Sequence, residues 1–168
     1  DHRDLHSFPT RRSSDLRDLI ARIRDRIPNV SIGTDIIVGF PGESEVAFEQ
    51  TYKLLEDLKL DVAHLARYSP RPNTYSAKFL PDDVPAEEKM RRFRALEDLQ
   101  KQVVGGINQK FLKQSQPVLF EGKSKDRWRG RTPTNRLVFV ESSSNLIGQI
   151  RDVRINWAGP WSLLGELI

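Results

Sequence analysis

The chain contains no cysteine. That excludes disulfides, thiolate metal sites and a cysteine nucleophile within it. Histidine is scarce: His2, His6 and His64 are scattered, which argues against a zinc site. No apolar run approaches the ~20 residues of a membrane helix, and nothing near Asp1 has the apolar core of a signal peptide. The expectation is a cytoplasmic protein with no membrane partner. A hydrophobic fraction of 38% over 168 residues allows a packed core, in one domain or two small ones.

Charge is present and unevenly spread. Residues 17–114 carry sixteen basic and fifteen acidic groups, whereas residues 115–168 carry eight basic and five acidic. The C-terminal third is therefore the part suited to a polyanion.

Asp1–Leu16, DHRDLHSFPTRRSSDL, has no hydrophobic period. SFPTRRSSDL resembles one reading frame of a sequencing-library adapter, so residues 1–16 are read as a non-native tail and set aside. Leu16, Ile20, Ile23 and Ile27 then recur at helical spacing, and Pro28-Asn29 ends that helix. Val30–Val38 is a β-branched strand whose apolar centre suits a sheet covered on both faces. Ser44 is placed to cap a helix whose stripe is Phe48, Tyr52, Leu55 and Leu58. Leu60–Tyr68 is the next strand, with Val62, His64, Ala66 and Tyr68 on one side and His64 expected in the core or a pocket wall. This strand–helix–strand unit belongs to a parallel α/β sheet.

A stiff loop, Tyr68–Thr74, comes next with two prolines. Asp82–Glu88 starts a long helix, with Met90, Phe93, Leu96, Leu99, Val103, Ile107 and Phe111 as its stripe to about residue 113. Arg91, Arg92 and Arg94 are assigned to its exposed face. After Gln114–Pro117 the period shortens. Val118–Glu121, Leu137–Val140, Ile147–Ile155 and Ser162–Leu167 are candidate strands of a small barrel or sandwich. Trp157 and Trp161 are expected to close its core. The domains are thus 17–114 and 115–168.

Two constellations carry chemistry. Gly39-Phe40-Pro41-Gly42-Glu43 lies at the carboxyl end of a strand, where α/β folds bind ligands. It is not a P-loop, because no Lys-Ser/Thr comes after it. Tyr68 and Ser69 end the next strand on the same rim. Secondly, Lys123, Lys125, Arg127, Arg129, Arg131 and Arg136 place six basic residues in fourteen positions around Trp128. Cations neutralise phosphates and tryptophan stacks on an unpaired base. A solvated face and a plain strand–helix link are the bland alternatives.

TDIIVGFPGES, YSPRPNT, DDVPAEEKMRRFRAL, GRTPTNRLVFV and IGQIRDVRI…WSLLGEL occur in that order. Together they resemble the C-terminal half of a methylthiotransferase of the radical S-adenosylmethionine (SAM) superfamily, over roughly 17–168. The resemblance implies an α/β plus all-β chain: a partial (β/α) barrel, then an OB-like TRAM β-barrel. It implies SAM as cofactor, with Asp35, Gly39, Phe40, Gly42, Glu43, Tyr68 and Ser69 along its pocket. It implies tRNA as partner, and no DNA, with Arg71, Lys123, Lys125, Arg127, Trp128, Arg129, Arg131, Thr132, Asn135 and Arg136 in contact with substrate or RNA.

The match is nearest the branch that methylthiolates position 2 of isopentenyl-adenosine beside the anticodon. A branch acting on threonylcarbamoyl-adenosine, a branch modifying a ribosomal protein, and a module that only binds RNA are the alternatives. The family holds two [4Fe–4S] clusters on six cysteines. Their ligands are absent from this chain, so no residue here is assigned a catalytic or metal-binding role, and the chain alone is expected to be inactive. Asn73 stands where the family often has Gly.

Overall fold

The structure, a computed structural model, describes residues 13–168. The chain divides into two compact units after Val30. In the first, helix α1 spans Ser13–Arg26, with Asp15 in its first turn and Arg24 and Arg26 in its last, as the helix dipole favours. Residues 1–12 of the supposed tail lie outside the described residues, while Ser13–Leu16 form the start of α1.

The second unit opens with strand β1 (Gly33–Val38), helix α2 (Glu45–Leu58) and strand β2 (Val62–Arg67). The two strands pair in parallel, with Asp35 opposite His64 and Ile37 opposite Ala66. Ser44 caps α2 by accepting from the Ala47 amide at 3.2 Å, as expected of it. A short helix α3 (Tyr75–Phe79), which no apolar period announces, is capped by Thr74. Asn73 is left-handed (φ 69°), a conformation asparagine tolerates well. Helix α4 (Ala86–Asn108) packs on β1 and β2 and against α2, and a single 3₁₀ turn continues it over Gln109–Phe111.

The sheet is covered on one face only. Thr34, Ile36 and Val38 are half-buried to buried, but Asp35, Ile37, His64 and Ala66 are exposed, Ile37 at 55%. The expectation of two covered faces is corrected, and so is the core placement of His64. A continuous apolar run shows that cover is favourable; it does not show that the same unit of the chain provides it.

The rest is a closed barrel of five strands: β3 (Ser115–Ser124), β4 (Arg127–Arg131), β5 (Leu137–Val140), β6 (Ile150–Ala158) and β7 (Leu163–Leu167), in the order β3-β4-β5-β7-β6. Closure removes free sheet edges. Val118, Phe120, Trp128, Val138, Val140, Leu146, Val153, Ile155 and Leu163 form one core. Strand β4 lies inside the basic run, where the sequence pattern shows only a link between strands. Its residues alternate, with Arg127 and Arg129 exposed and Trp128 and Gly130 inside. A Cβ on Gly130 would sit 2.5 Å from the Leu119 carbonyl oxygen, so only glycine lets β3 and β4 close there.

Two tryptophan assignments are reversed. Trp128, expected to stack on RNA, is 6% exposed in the core, and its Nε1–H donates to the Ser142 carbonyl at 3.2 Å. Trp157 and Trp161, expected in the core, are 49% and 58% exposed. A register shift between Ile155 and Trp157 moves the inward phase of β6 by one residue, so Ala158 is buried and Trp157 faces out.

Candidate functional site

At the carboxyl end of β1, Phe40–Glu43 form a tight turn closed by the Glu43 amide donating to the Phe40 carbonyl at 2.9 Å. Pro41 and Gly42 (φ +79°) are the residues that a type II turn demands at its centre. Gly39 is also left-handed, at φ +71°, and buried. The aliphatic stem of Lys89 lies against it, so close that a Cβ on Gly39 would be 2.3 Å from Lys89 Cγ.

Helix α4 bolts this loop in place. Arg92 donates to the Glu43 carboxylate at 2.7 Å and to the Glu43 carbonyl at 2.8 Å. The same carboxylate accepts the Gly39 amide at 2.6 Å. Asp83 accepts the Gly42 amide at 2.8 Å, and Lys89 pairs with Asp82. Glu88 accepts from Arg91 and Arg92, and Glu45 from Arg91. The Arg91 hydrogen bond is the main cause that draws the Glu88 carboxyl down to about 2. Arg91 is raised by its bonds to Glu88 and Glu45. Burial opposes the charge on Arg92, but its bonds to Glu43 and Glu88 prevail and raise it.

The rim residues expected to meet a cofactor therefore differ in role. Phe40 and Ser69 are exposed at the rim, and Asp35 on the open sheet face. Phe40 meets Tyr68 edge-on at 5.1 Å. Tyr68 lies 5.2 Å below the Lys89 ammonium, and its hydroxyl is buried without a partner among the described residues. Gly39 and Gly42 shape the turn. Glu43 is corrected: its carboxylate is held inside the loop rather than offered outward. Arg92 is corrected too, since it is buried, while Arg91 and Arg94 are exposed as expected and Arg91 is ion-paired there. Sequence reasoning misses the parts played by Lys89, Arg92 and Asp83. Their signal is nonetheless present: Lys89, Arg92, Leu96, Leu99 and Gln100 share the buried stripe of α4, so two cations sit at core positions.

The second site is the outer face of the barrel. Arg127, Arg129 and Arg131 project from β4, about 7 Å apart along the strand. Lys123 and Lys125 stand at the β3–β4 hairpin, with Lys123 Nζ 4.7 Å from the Trp128 ring centroid. Arg127 pairs with Glu141 at 2.9 Å and Arg131 with Glu121 at 3.6 Å; both arginine side chains stay a little under half solvent-accessible. Arg129 has no ion-pair partner among the described residues. Arg71 is exposed in the loop after β2, away from this strand in the fold.

Three expected RNA contacts do not share this face. Arg136 is 8% exposed and bonds Asp61, the residue before β2. Thr132 is buried, its hydroxyl accepting the Arg136 amide at 3.1 Å and meeting Thr134. Trp128 is core. Asn135 is exposed in a left-handed turn (φ 62°). Asp61 also accepts the Ile32 amide at 2.9 Å, so one carboxylate joins the approach to β1 with the barrel. Asn108 donates to the Gly159 carbonyl at 2.7 Å and Gln109 to the Ala158 carbonyl at 2.8 Å, which seat the barrel on the end of α4.

The TRAM domain family matches residues 109–168, the last turn after α4 and the whole barrel. The chain is 44% identical over 156 residues to a tRNA-2-methylthio-N(6)-dimethylallyladenosine synthase of Dehalococcoides mccartyi, covering 93% of this chain and 37% of the relative. Proteins of the same name from Roseiflexus sp. and Chloroflexus aurantiacus are 49% and 47% identical, over 90% and 89% of this chain and 32% and 33% of their own lengths. Residues 109–168 are thus similar to TRAM domains, and most of the chain is similar to these synthases. It spans about a third of the length of these relatives. The bolted Gly39–Glu43 loop and the basic strand of the barrel are two of the surfaces that the described residues leave open to a ligand. Among the described residues no group of acidic or histidine side chains is placed to hold a metal. Iron–sulfur clusters need thiolates, so the residues present do not fit that cofactor.

Proposed function

We propose that this chain is the tRNA-gripping part of a tRNA methylthiotransferase, together with one wall of its SAM and substrate pocket. The substrate is an N6-isopentenyl-adenosine of tRNA, as the names of the relatives suggest, and the resemblance of the motifs implies its place beside the anticodon. The observation that carries the reading is the alternation of β4: three arginines face out because Trp128 and Gly130 face in. A barrel built this way presents cations at regular spacing on a rigid strand, which suits an RNA backbone.

At the rim, Phe40 and Tyr68 are the aromatic surfaces for an adenine, and Asp35 and Ser69 the polar groups for its ribose or for the amino-acid moiety of SAM. SAM supplies the radical and methyl chemistry in such enzymes. None of that redox step is assigned to residues of this chain, because cluster ligands are lacking. The β1–β2 sheet with its open face is read as two strands of a larger (β/α) barrel.

The test is tRNA binding by this chain across a range of salt. Replacing Arg127, Arg129 and Arg131 together with alanine should lower the slope of log affinity against log salt by about 2–3, close to one for each arginine that no longer meets a phosphate. An unchanged slope and affinity would remove the basic strand as the RNA contact.

A further inference from the structure

A cavity of about 260 Å³ lies where the start of β2 and the end of α4 meet the barrel. It is distinct from the rim. Asp61–Ala63 line it at the amino end of β2, whereas Tyr68 comes after the carboxyl end, about 20 Å away along a six-residue strand. We propose that this cavity receives one unstacked nucleobase of the RNA held on β4, a second base separate from the one at the rim. The proposal rests on the RNA-binding reading of the barrel.

Size comes first. Clefts for drug-sized ligands run to ~300–1,000 Å³, so this one is on the scale of a single heterocycle rather than of a whole nucleotide cofactor. Its walls mix Val104, Leu137 and Leu163 with polar groups, as a flat ring with a polar edge requires.

Polarity then selects the ligand. Two lining residues, Asn108 and Arg136, are 2% and 8% exposed, and each keeps one buried polar atom without a partner among the described residues: Asn108 Oδ1 and Arg136 Nε. The Asn108 amide cannot be turned the other way, because its nitrogen already donates to the Gly159 and Pro160 carbonyls. The unpartnered pair is thus one acceptor and one donor, both covered in the unliganded chain, so a ligand meets them only once the Asn108 and Arg136 side chains turn toward the cavity. A phosphate has no proton to give Asn108 and a metal ion nothing to accept from Arg136. A base edge offers both.

The mouth completes the pattern. Trp161, more than half exposed, lines the cavity beside Asn135 and Arg131. Arg131 is the last of the outward arginines of β4, so a backbone tracking that strand arrives at the cavity. Trp161 offers a base the stacking face that the buried Trp128 does not.

The experiment uses the whole chain and a single-stranded RNA oligonucleotide carrying 2-aminopurine at each position in turn. One position should lose emission on binding as it stacks. Trp161→Ala should abolish that loss and weaken binding about tenfold, with the salt slope and the melting temperature unchanged. Ser162→Phe, which narrows the same mouth while keeping Trp161, should weaken binding by a similar factor. Wild-type affinity and emission in both variants would overturn the pocket while the arginine-dependent salt slope left the RNA reading standing. RNA that fails to bind, or binds without regard to Arg127, Arg129 and Arg131, would overturn both.

Discussion

Gly39 concentrates three demands on one residue. Its φ is +71°, its amide donates to Glu43, and Lys89 occupies the space of a side chain. Gly39→Ala should cost about 2–3 kcal/mol, part from the left-handed backbone and part from displacing Lys89. Urea unfolding measures this; an unchanged midpoint would mean that the Lys89 stem moves freely aside. The tryptophans make the opposite lesson at the same scale. Trp128 sits in a run of arginines and reads as an RNA-stacking side chain, yet with Gly130 it turns inward from β4. Trp157 obeys alternation until a bulge reverses it. A single extra residue in a strand reverses the facing of every later side chain in it, and nothing in the local composition marks where that residue falls.

At the scale of elements, α4 holds the rim loop through charge rather than through apolar packing alone. Removing a partner from a buried pair leaves an uncompensated charge, so Arg92, Glu43 and Glu88 act as one unit. This makes the loop sensitive to pH. The Glu88 carboxyl is held at about 2, below its ordinary 4.5, mainly by Arg91. The stability it contributes is complete above pH ~4.5 and is lost as pH falls toward ~2. The difference in urea midpoint between the native chain and Glu88→Gln should therefore be largest near neutrality and shrink across that window. A difference that stays constant from about pH 6 to about pH 3 would show that the carboxylate charge is not what stabilises the loop. The helix itself is legible from its apolar period and acidic start. Its buried stripe keeps Leu96 and Leu99 but falls on Lys89 and Arg92 rather than Met90 and Phe93 at the start, and on Val104 and Asn108 rather than Val103 and Ile107 at the end.

For the whole molecule, the barrel and the parallel strand pair differ in how they are closed. The barrel has no free edge and ten buried core side chains. The β1–β2 sheet has two strands and one open face. Amides of β3, β6 and β7 should exchange only with global unfolding, while those of β1 and β2 exchange through local opening. Equal protection in both would mean that α2 and α4 suffice to seal the sheet. The buried Asp61–Arg136 pair and the Asn108 and Gln109 bonds hold the barrel against the α/β part. Under the proposed reading, RNA on β4 would be presented at a fixed orientation to this sheet.

By itself the sequence determined the elements with strong periods or signatures: α1, β1, α2, β2, α4 and the shift to short strands after Gln114. It also carried the ordered motifs that resemble those of methylthiotransferases and of the TRAM domain, and the capping role of Ser44. The tertiary structure alone decided which residues of those motifs are free to meet a ligand. Arg136, Thr132, Trp128 and Glu43 look like surface chemistry in one dimension and prove to be internal partners. Trp161 and Asp61 gain their places only when distant segments meet. The physical reason is that a residue's type records what it can bind, whereas burial and partner choice depend on contacts with residues up to 75 positions away, as between Asp61 and Arg136.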